Sequence, residues 1–380
     1  MLPRLDLTGW RGLGAFWVLV MALFAGGAGL LAWLGPPPGL PAPVPLAAQA
    51  PPAASPAPAG AAAPAATAPP ATGAVPPSAA GAEAGPAQVA APEPSPILEA
   101  AYRSAQPGRP TPAVDPALIE NGPHGRLPRI GPDGRTAIRT YGRPFDRQDP
   151  RPRIGLVIGG LGMNAAVTEE AIRRLPGTVT LAFSPYAPRV ERLLDQARAK
   201  GMEVLLALPL EPTGYPLNNP GDRALLTGLN PAENHDRLLW ALSRFTGYAG
   251  AIGALGPMRG ERYAQLGEAM GALQTTLYAR GLLYVDPRPG AVRGPERAWG
   301  RGVDLVVDEP ATRSEIERKL AALEALAREH GTALGYAGEA SPVLVDRVAA
   351  WAGSVEARGL VLAPVTAMLR RPEVEPARGR

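Results

Sequence analysis

Three short segments carry side chains that could do chemistry. Glu211 lies between Pro209 and Pro212 at the end of an apolar run, Asp286 and Arg288 flank Pro287 at the end of another, and Asp308-Glu309 closes a third. Each is a carboxylate at the carboxyl end of a candidate strand, where alternating α/β folds gather their reactive groups. A carboxylate held there can act as a general acid or base, or it can cap a helix or face solvent. An Asp and an Arg two residues apart can bind a polar ligand or pair with each other. Asp308-Glu309 is similar but reads rather as a turn or cap.

The rest of the inventory is sparse. There is no cysteine, so disulfides, thiolate metal sites and thiol nucleophiles are excluded. Only three histidines occur, His124, His235 and His330, too few for a histidine-rich metal centre, and no Ser-His-Asp or Glu-x-x-His arrangement accompanies them. Residues 160–165 read Gly-Leu-Gly-Met-Asn-Ala after an apolar run, which fits the G-x-G-x-x-A turn of dinucleotide sites. The acid that should end the following strand is absent, since that strand closes in Phe183-Ser184-Pro185. A tight turn that needs positive φ explains the glycines without a nucleotide, so no cofactor is expected.

The elements that must position these groups are alternating strands and helices. Apolar runs at 154–158, 179–183, 203–208, 251–255, 282–286, 304–307, 332–336 and 360–364 predict strands. Asn230-Pro231-Ala232-Glu233 is a helix start with a capping box, and Ser341-Pro342 opens another helix. Ile316, Leu320, Leu323 and Leu326 give the helix over 312–330 an apolar face. Strands alternating with helices predict a mainly parallel sheet or barrel.

The composition divides the chain before this region. Pro 47 and Gly 45 make up about a quarter of the 380 residues, and most of the proline precedes residue 150. Residues 1–12 carry Arg4 and Arg11, and residues 13–34 are uncharged and apolar, enough to span a bilayer as a helix. No small-residue cleavage site follows closely, and no charge appears until Glu83. The pattern predicts a single-pass inner-membrane anchor with a cytoplasmic N-terminus and a periplasmic C-terminal domain. Residues 35–96 are Pro/Ala-rich and predict an extended tether. Residues 97–150 read as an irregular Pro/Gly/Arg-rich arm with a short helix near 96–104, residues 151–370 as the folded domain, and 371–380 as a tail. Net charge is +4 without a Lys/Arg block, so no nucleic-acid partner is expected.

The order of segments resembles the divergent polysaccharide deacetylase family. The carriers are RIGLVIGGLGMN, LPGTVTLAFSPYAP, ARAKGMEVLLALPLEP, ARGLLYVDPRPGAV, RGVDLVVDE and HGTALGYAG with LVLAPVTAML, spread over residues 153–369. The resemblance implies a distorted (β/α) barrel of about seven strands and a place in cell-envelope carbohydrate metabolism. It also implies a divalent metal held by carboxylate and imidazole to polarise an amide carbonyl. At the family's ligand positions this chain has Gly159 and Gly160 for paired aspartates, Ala207 for a histidine, Gly253 and Ala254 for an Asn-His pair, and Tyr336 for a histidine. Glu211, Asp286, Arg288 and Asp308 remain at matching positions. The expectation is a domain without metal-dependent deacetylation that binds an envelope glycan or periplasmic protein. Two alternatives stay open: a hydrolase with Glu211 and Asp286 as a relocated acid/base pair, and an envelope scaffold working through its long spacer.

Overall fold

The computed structural model describes residues 110–292 and 294–373, together with residues 17, 20 and 21. The chain divides into two units, Met1–Pro86 and Ala87–Arg380. In the first, Trp17, Val20 and Met21 are helical; otherwise the predicted span over 13–34 lies outside the described residues, as do the spacer over 35–96 and the helix predicted near 96–104. No helix among the described residues is long and apolar enough to cross a membrane.

The second unit is ordered well before residue 151. β1 (Ile119–Gly122) and β2 (Gly125–Pro128) pair antiparallel across the two-residue loop Pro123-His124. A short helix, α1 (Ala137–Tyr141), follows, its first turn capped by the Thr136 hydroxyl. The sequence predicts irregular backbone here, and this is corrected: Leu118, Leu127, Ala137 and Tyr141 are buried in the main core. Four well-spaced apolar residues in a Pro/Gly-rich stretch show no periodicity, so the order of this arm comes from tertiary burial rather than propensity.

Beyond the arm lies a curled sheet. Its strands are β3 (Arg153–Leu161), β4 (Thr180–Phe183), β5 (Val204–Ala207), β6 (Gly250–Ile252), β7 (Leu283–Asp286), β8 (Gly300–Gly302), β9 (Leu305–Val306), β10 (Thr332–Ala337) and β11 (Val361–Leu362). They run in the order β8-β7-β6-β5-β4-β3-β10-β9, all neighbours parallel, and β11 pairs with the start of β3. Crossovers are made by α2 (Ala165–Arg174), α3 (Glu191–Ala199), α4 (Pro231–Leu242), α5 (Gly267–Ala279), α6 (Arg313–His330) and α7 (Pro342–Val355). The buried runs of β3 to β7 carry Val, Ile, Leu, Ala and Phe on both faces, as strands covered on both sides must. Asn230 forms its capping box with Glu233, and Ser341 caps α7 ahead of Pro342.

The two edges of the sheet are consecutive in the chain. β8 pairs with β7 at one edge and β9 with β10 at the other, and only Val303 and Asp304 separate β8 from β9 in the chain. Val303 donates its N–H to the Asp286 carbonyl and Asp304 to the Leu334 carbonyl, each at 2.8 Å. One run of chain therefore touches both ends of the curled sheet. The strand predicted at 304–307 is β9, and β8 just before it is a strand the sequence does not predict; eight strands stand in line where the family resemblance implies about seven.

The amino ends of the strands are tied by one buried acid. Glu203, 1% exposed, precedes β5. Its carboxylate accepts the Arg143 N–H at 2.9 Å, the Thr180 hydroxyl at 3.3 Å, the Thr366 N–H at 3.2 Å and the Thr366 hydroxyl. The arm, β4, β5 and the 3-10 turn Val365–Met368 thus converge on two oxygens. Met368 then fills the space beside Gly155 on β3, where a Cβ would overlap its methyl.

Burial raises the Glu203 carboxyl above its usual value of 4.5, while hydrogen bonds from Thr366, Arg143 and Thr180 pull it back. A carboxyl with a raised folded pKa adds stability below the unfolded pKa and loses it as pH rises through the folded one. Glu203→Gln sets an amide NH2 against the N–H of either Arg143 or Thr366 and should cost about 1–3 kcal/mol. In urea unfolding the gap between the two proteins should widen as pH falls, because only the wild type gains from protonation. A gap constant with pH would contradict this assignment.

Candidate functional site

The carboxyl ends of the strands form the mouth of the curled sheet, where the fold would place chemistry. Tyr336, near the end of β10, is 1% exposed and donates its hydroxyl to the Gly256 carbonyl at 2.7 Å, joining β10 to the loop after β6. Burial pushes its phenol pKa well up, and the neighbouring Asp308 carboxylate adds to this. A Cβ at Gly159 would stand 2.7 Å from the Tyr336 Oη and 3.1 Å from the Gly338 carbonyl oxygen. Real Cβ atoms essentially never come within 3.0 Å of another heavy atom, so any side chain at 159 competes with the tyrosine for one volume. Gly160 has φ +68°, and a Cβ there would lie 2.9 Å from the Gly338 oxygen. Across the mouth, a Cβ at Gly253 would overlap the Tyr284 hydroxyl. Ala207 and Ala254 are buried in the same core. The positions read as vacated in the sequence are thus packed, chiefly by two tyrosines.

The retained polar residues are not gathered into one cluster. Glu211 is 2% exposed; its carboxylate accepts the Thr227 N–H and pairs with Arg262 Nε at 3.1 Å. Its backbone N–H donates to Leu225 and its carbonyl accepts from Arg262 and Tyr263, so the residue pins two loops together. Asp286 holds Arg288 through two parallel bonds, Nε to Oδ1 at 2.9 Å and Nη2 to Oδ2 at 2.7 Å, and Oδ1 also accepts the Arg288 N–H at 3.1 Å. This pair lines a cavity of about 220 Å³ beside β7, with Gln274, Tyr284 and Arg297. Neither Glu211 nor Asp308 reaches that cavity. Asp308 accepts the Glu339 N–H at 3.0 Å on Oδ2, and burial raises its pKa. Arg259, at the rim, pairs with Glu309 and with Glu261 at 3.6 Å.

Imidazoles do not converge here either. His124 sits in the β1–β2 turn, 2.7 Å from Asp236, rather than in irregular backbone; His235 is exposed on α4; His330 lies at the end of α6, 3.6 Å from Glu329. Among the described residues no group of three His, Cys, Asp or Glu side chains could hold a metal ion. Nor does the donor set at the mouth fit a divalent cation: glycine and alanine offer no ligand, and the tyrosine hydroxyl is engaged with a carbonyl. The G-x-G-x-x-A segment is a packing turn. Gly162 has φ +93°, and a Cβ there would stand 2.6 Å from that of Ala187; its N–H donates to the Thr168 hydroxyl, and Asn164 caps α2.

Sequence reasoning locates Tyr336 but misses what it does, and it misses Tyr284, Gly256 and Gly338 entirely. A Cβ on Gly338 would come within 2.9 Å of the Gly256 carbonyl carbon and of Pro257 N, so two loop backbones meet directly over the mouth. The available signal is the pairing of a large residue at 336 with glycine at 159, two strand ends that the predicted topology brings together.

Residues 156–369 match the model of the family described as Divergent polysaccharide deacetylase. Among solved structures, an uncharacterised protein of Agrobacterium tumefaciens is 32% identical, with TM-score 0.59 over 64% of this chain and 99% of its own. The catalytic domain of a peptidoglycan N-acetylglucosamine deacetylase from Eubacterium rectale is 12% identical, with TM-score 0.38 over 60% of this chain and 94% of its own. No curated protein matches the chain.

If Tyr336 holds the volume that a side chain at 159 would need, the two positions must be coupled. Gly159→Ala should cost about 1–3 kcal/mol in the wild type by overpacking. In a Tyr336→Phe background, which lacks the nearest atom, the cost should fall by at least about 0.5 kcal/mol. Denaturant unfolding of the four proteins measures the coupling, and strictly additive costs would show that the tyrosine does not occupy the site.

Proposed function

The chain belongs to the divergent polysaccharide deacetylase family, and from that membership we propose that it is a membrane-anchored envelope protein that binds glycan without deacetylating it. One observation carries this reading: Tyr336 fills the mouth against Gly159 and is tied to Gly256, where metal-dependent chemistry would need open space and ligands. A bound divalent metal would supply carbonyl polarisation and an activated water. The residues at those positions offer it neither donors nor room. The alternative pair, Glu211 and Asp286, is disfavoured because Glu211 is committed to Arg262 and Thr227 while Asp286 is held by Arg288 in a cavity that Glu211 does not line.

The anchor follows from the apolar run over 13–34 with Arg4 and Arg11 before it, and the Pro/Ala spacer over 35–96 would let the domain reach into the envelope. Alkaline phosphatase fused after residue 380 should then be active in a Gram-negative host, and the same enzyme fused after residue 12 inactive. The reverse pattern would overturn the orientation.

For the chemistry, the purified full chain is incubated with N-acetylated chitooligosaccharide and with peptidoglycan, with and without added zinc or cobalt. The expected result is no acetate release above the protein-free control. Release that depends on metal and stops with a chelator would contradict the proposal.

A further inference from the structure

A cavity much larger than the one beside β7 lies at the opposite end of the strands from the mouth. It encloses about 1220 Å³ between the arm, α5 and the segment after β11. Its walls include Arg139, Arg143, Arg147 and Arg371, and no Asp or Glu lines it. Elsewhere on the domain many arginines are matched to carboxylates, as Arg135 is to Asp115 and Asp133, Arg151 to Asp149, and Arg358 to Glu324. None of the four makes an ion pair with a carboxylate among the described residues. The buried Glu203 carboxylate accepts the Arg143 backbone N–H, and burial lowers the pKa of the Arg143 guanidinium in spite of that acid.

Two of these guanidiniums are held in place by backbone carbonyls. Arg143 Nη1 donates to Gly201 at 2.9 Å, and Arg147 Nη2 to Thr366 at 3.3 Å. Arg139 and Arg371 are exposed, and Arg371 lies over the Trp299 ring at 5.8 Å. Trp299, Tyr278 and Phe145 add ring surface to the same walls. Guanidinium forks match carboxylate and phosphate oxygens, and aromatic faces pack on sugar rings. The volume exceeds the about 300–1,000 Å³ of ordinary small-molecule pockets and suits a ligand of more than one ring.

We infer that this amino-end cavity binds an anionic glycan, a saccharide carrying carboxylate or phosphate groups. It rests on the reading that the chain meets envelope glycan, but not on anything at the mouth.

The test uses calorimetric titration of the full chain in detergent with three probes. They are the N-acetylglucosaminyl-N-acetylmuramic acid disaccharide, a bis-phosphorylated glucosamine disaccharide, and neutral chitobiose. One or both anionic probes should bind, more weakly as salt is raised, with chitobiose weaker or silent; which anion binds better identifies the source. Arg139→Gln and Arg371→Gln, both exposed and therefore tolerated by the fold, should each weaken the anionic probe about tenfold, while Arg244→Gln, just after α4 and not among the cavity's walls, has no effect. Equal binding of charged and neutral probes would overturn the inference, as would binding unchanged in both cavity variants. Failure of all three probes, as when another segment or a protein partner covers the cavity, would also overturn it. If Asp286→Asn abolishes glycan binding and the arginine variants do not, the inference fails while the proposed function stands.

Discussion

A tyrosine laid across the mouth of a curled parallel sheet constrains everything around it. Tyr336 reaches from β10 to the Gly256 carbonyl, and it can do so only because residue 159 on the neighbouring strand has no side chain. Gly338 lets the two loop backbones meet above it, and Gly253 makes room for Tyr284 from the other side. A buried phenol needs a hydrogen-bond partner, and the carbonyl supplies one without introducing charge. The mouth is closed by shape and one neutral hydrogen bond; around the rim Arg259, Arg262 and Arg288 are matched to carboxylates, while Asp308 accepts the Glu339 N–H.

The two ends of the sheet consequently differ in character. At the carboxyl end Glu211, Asp286 and Glu309 are paired with arginines and the cavity beside β7 is small. At the amino end, a buried carboxylate joins four segments, and beside it guanidiniums with no carboxylate partner among the described residues surround a much larger space. The arm over 110–150 makes this second end possible, since α1 and the residues after it form one wall of the cavity. A fold that ordinarily gathers its chemistry where strands end has here kept its open, charged surface where they begin.

Much of the fold is legible in the sequence because buried parallel strands are continuous apolar runs, and helix starts such as Asn230-Pro231 and Ser341-Pro342 are chemically explicit. The arm is not, although Asn121-Gly122-Pro123-His124-Gly125 is a run of turn residues between short strands. The split of residues 300–306 between two strands is invisible because it depends on which partners the two halves find. For the site, the replaced positions are legible as missing ligands; that they are filled is not, because the contact between 336 and 159 exists only once β10 lies beside β3. Glu203 sits in a predicted strand with no signal beyond being an acid among apolar neighbours. Its role depends on Thr366 and Arg143, 163 and 60 residues away.

On the proposed reading, Tyr336 occupies the volume where the family's metal centre would stand. The most direct measurement is a crystal structure of the protein grown with excess zinc, with anomalous diffraction recorded at the zinc edge. The expected result is the Tyr336 ring against Gly159, its hydroxyl on the Gly256 carbonyl, and no anomalous peak at the carboxyl ends of the strands. A zinc peak there, ligated by Asp286 or Asp308 with Tyr336 swung away, would contradict it.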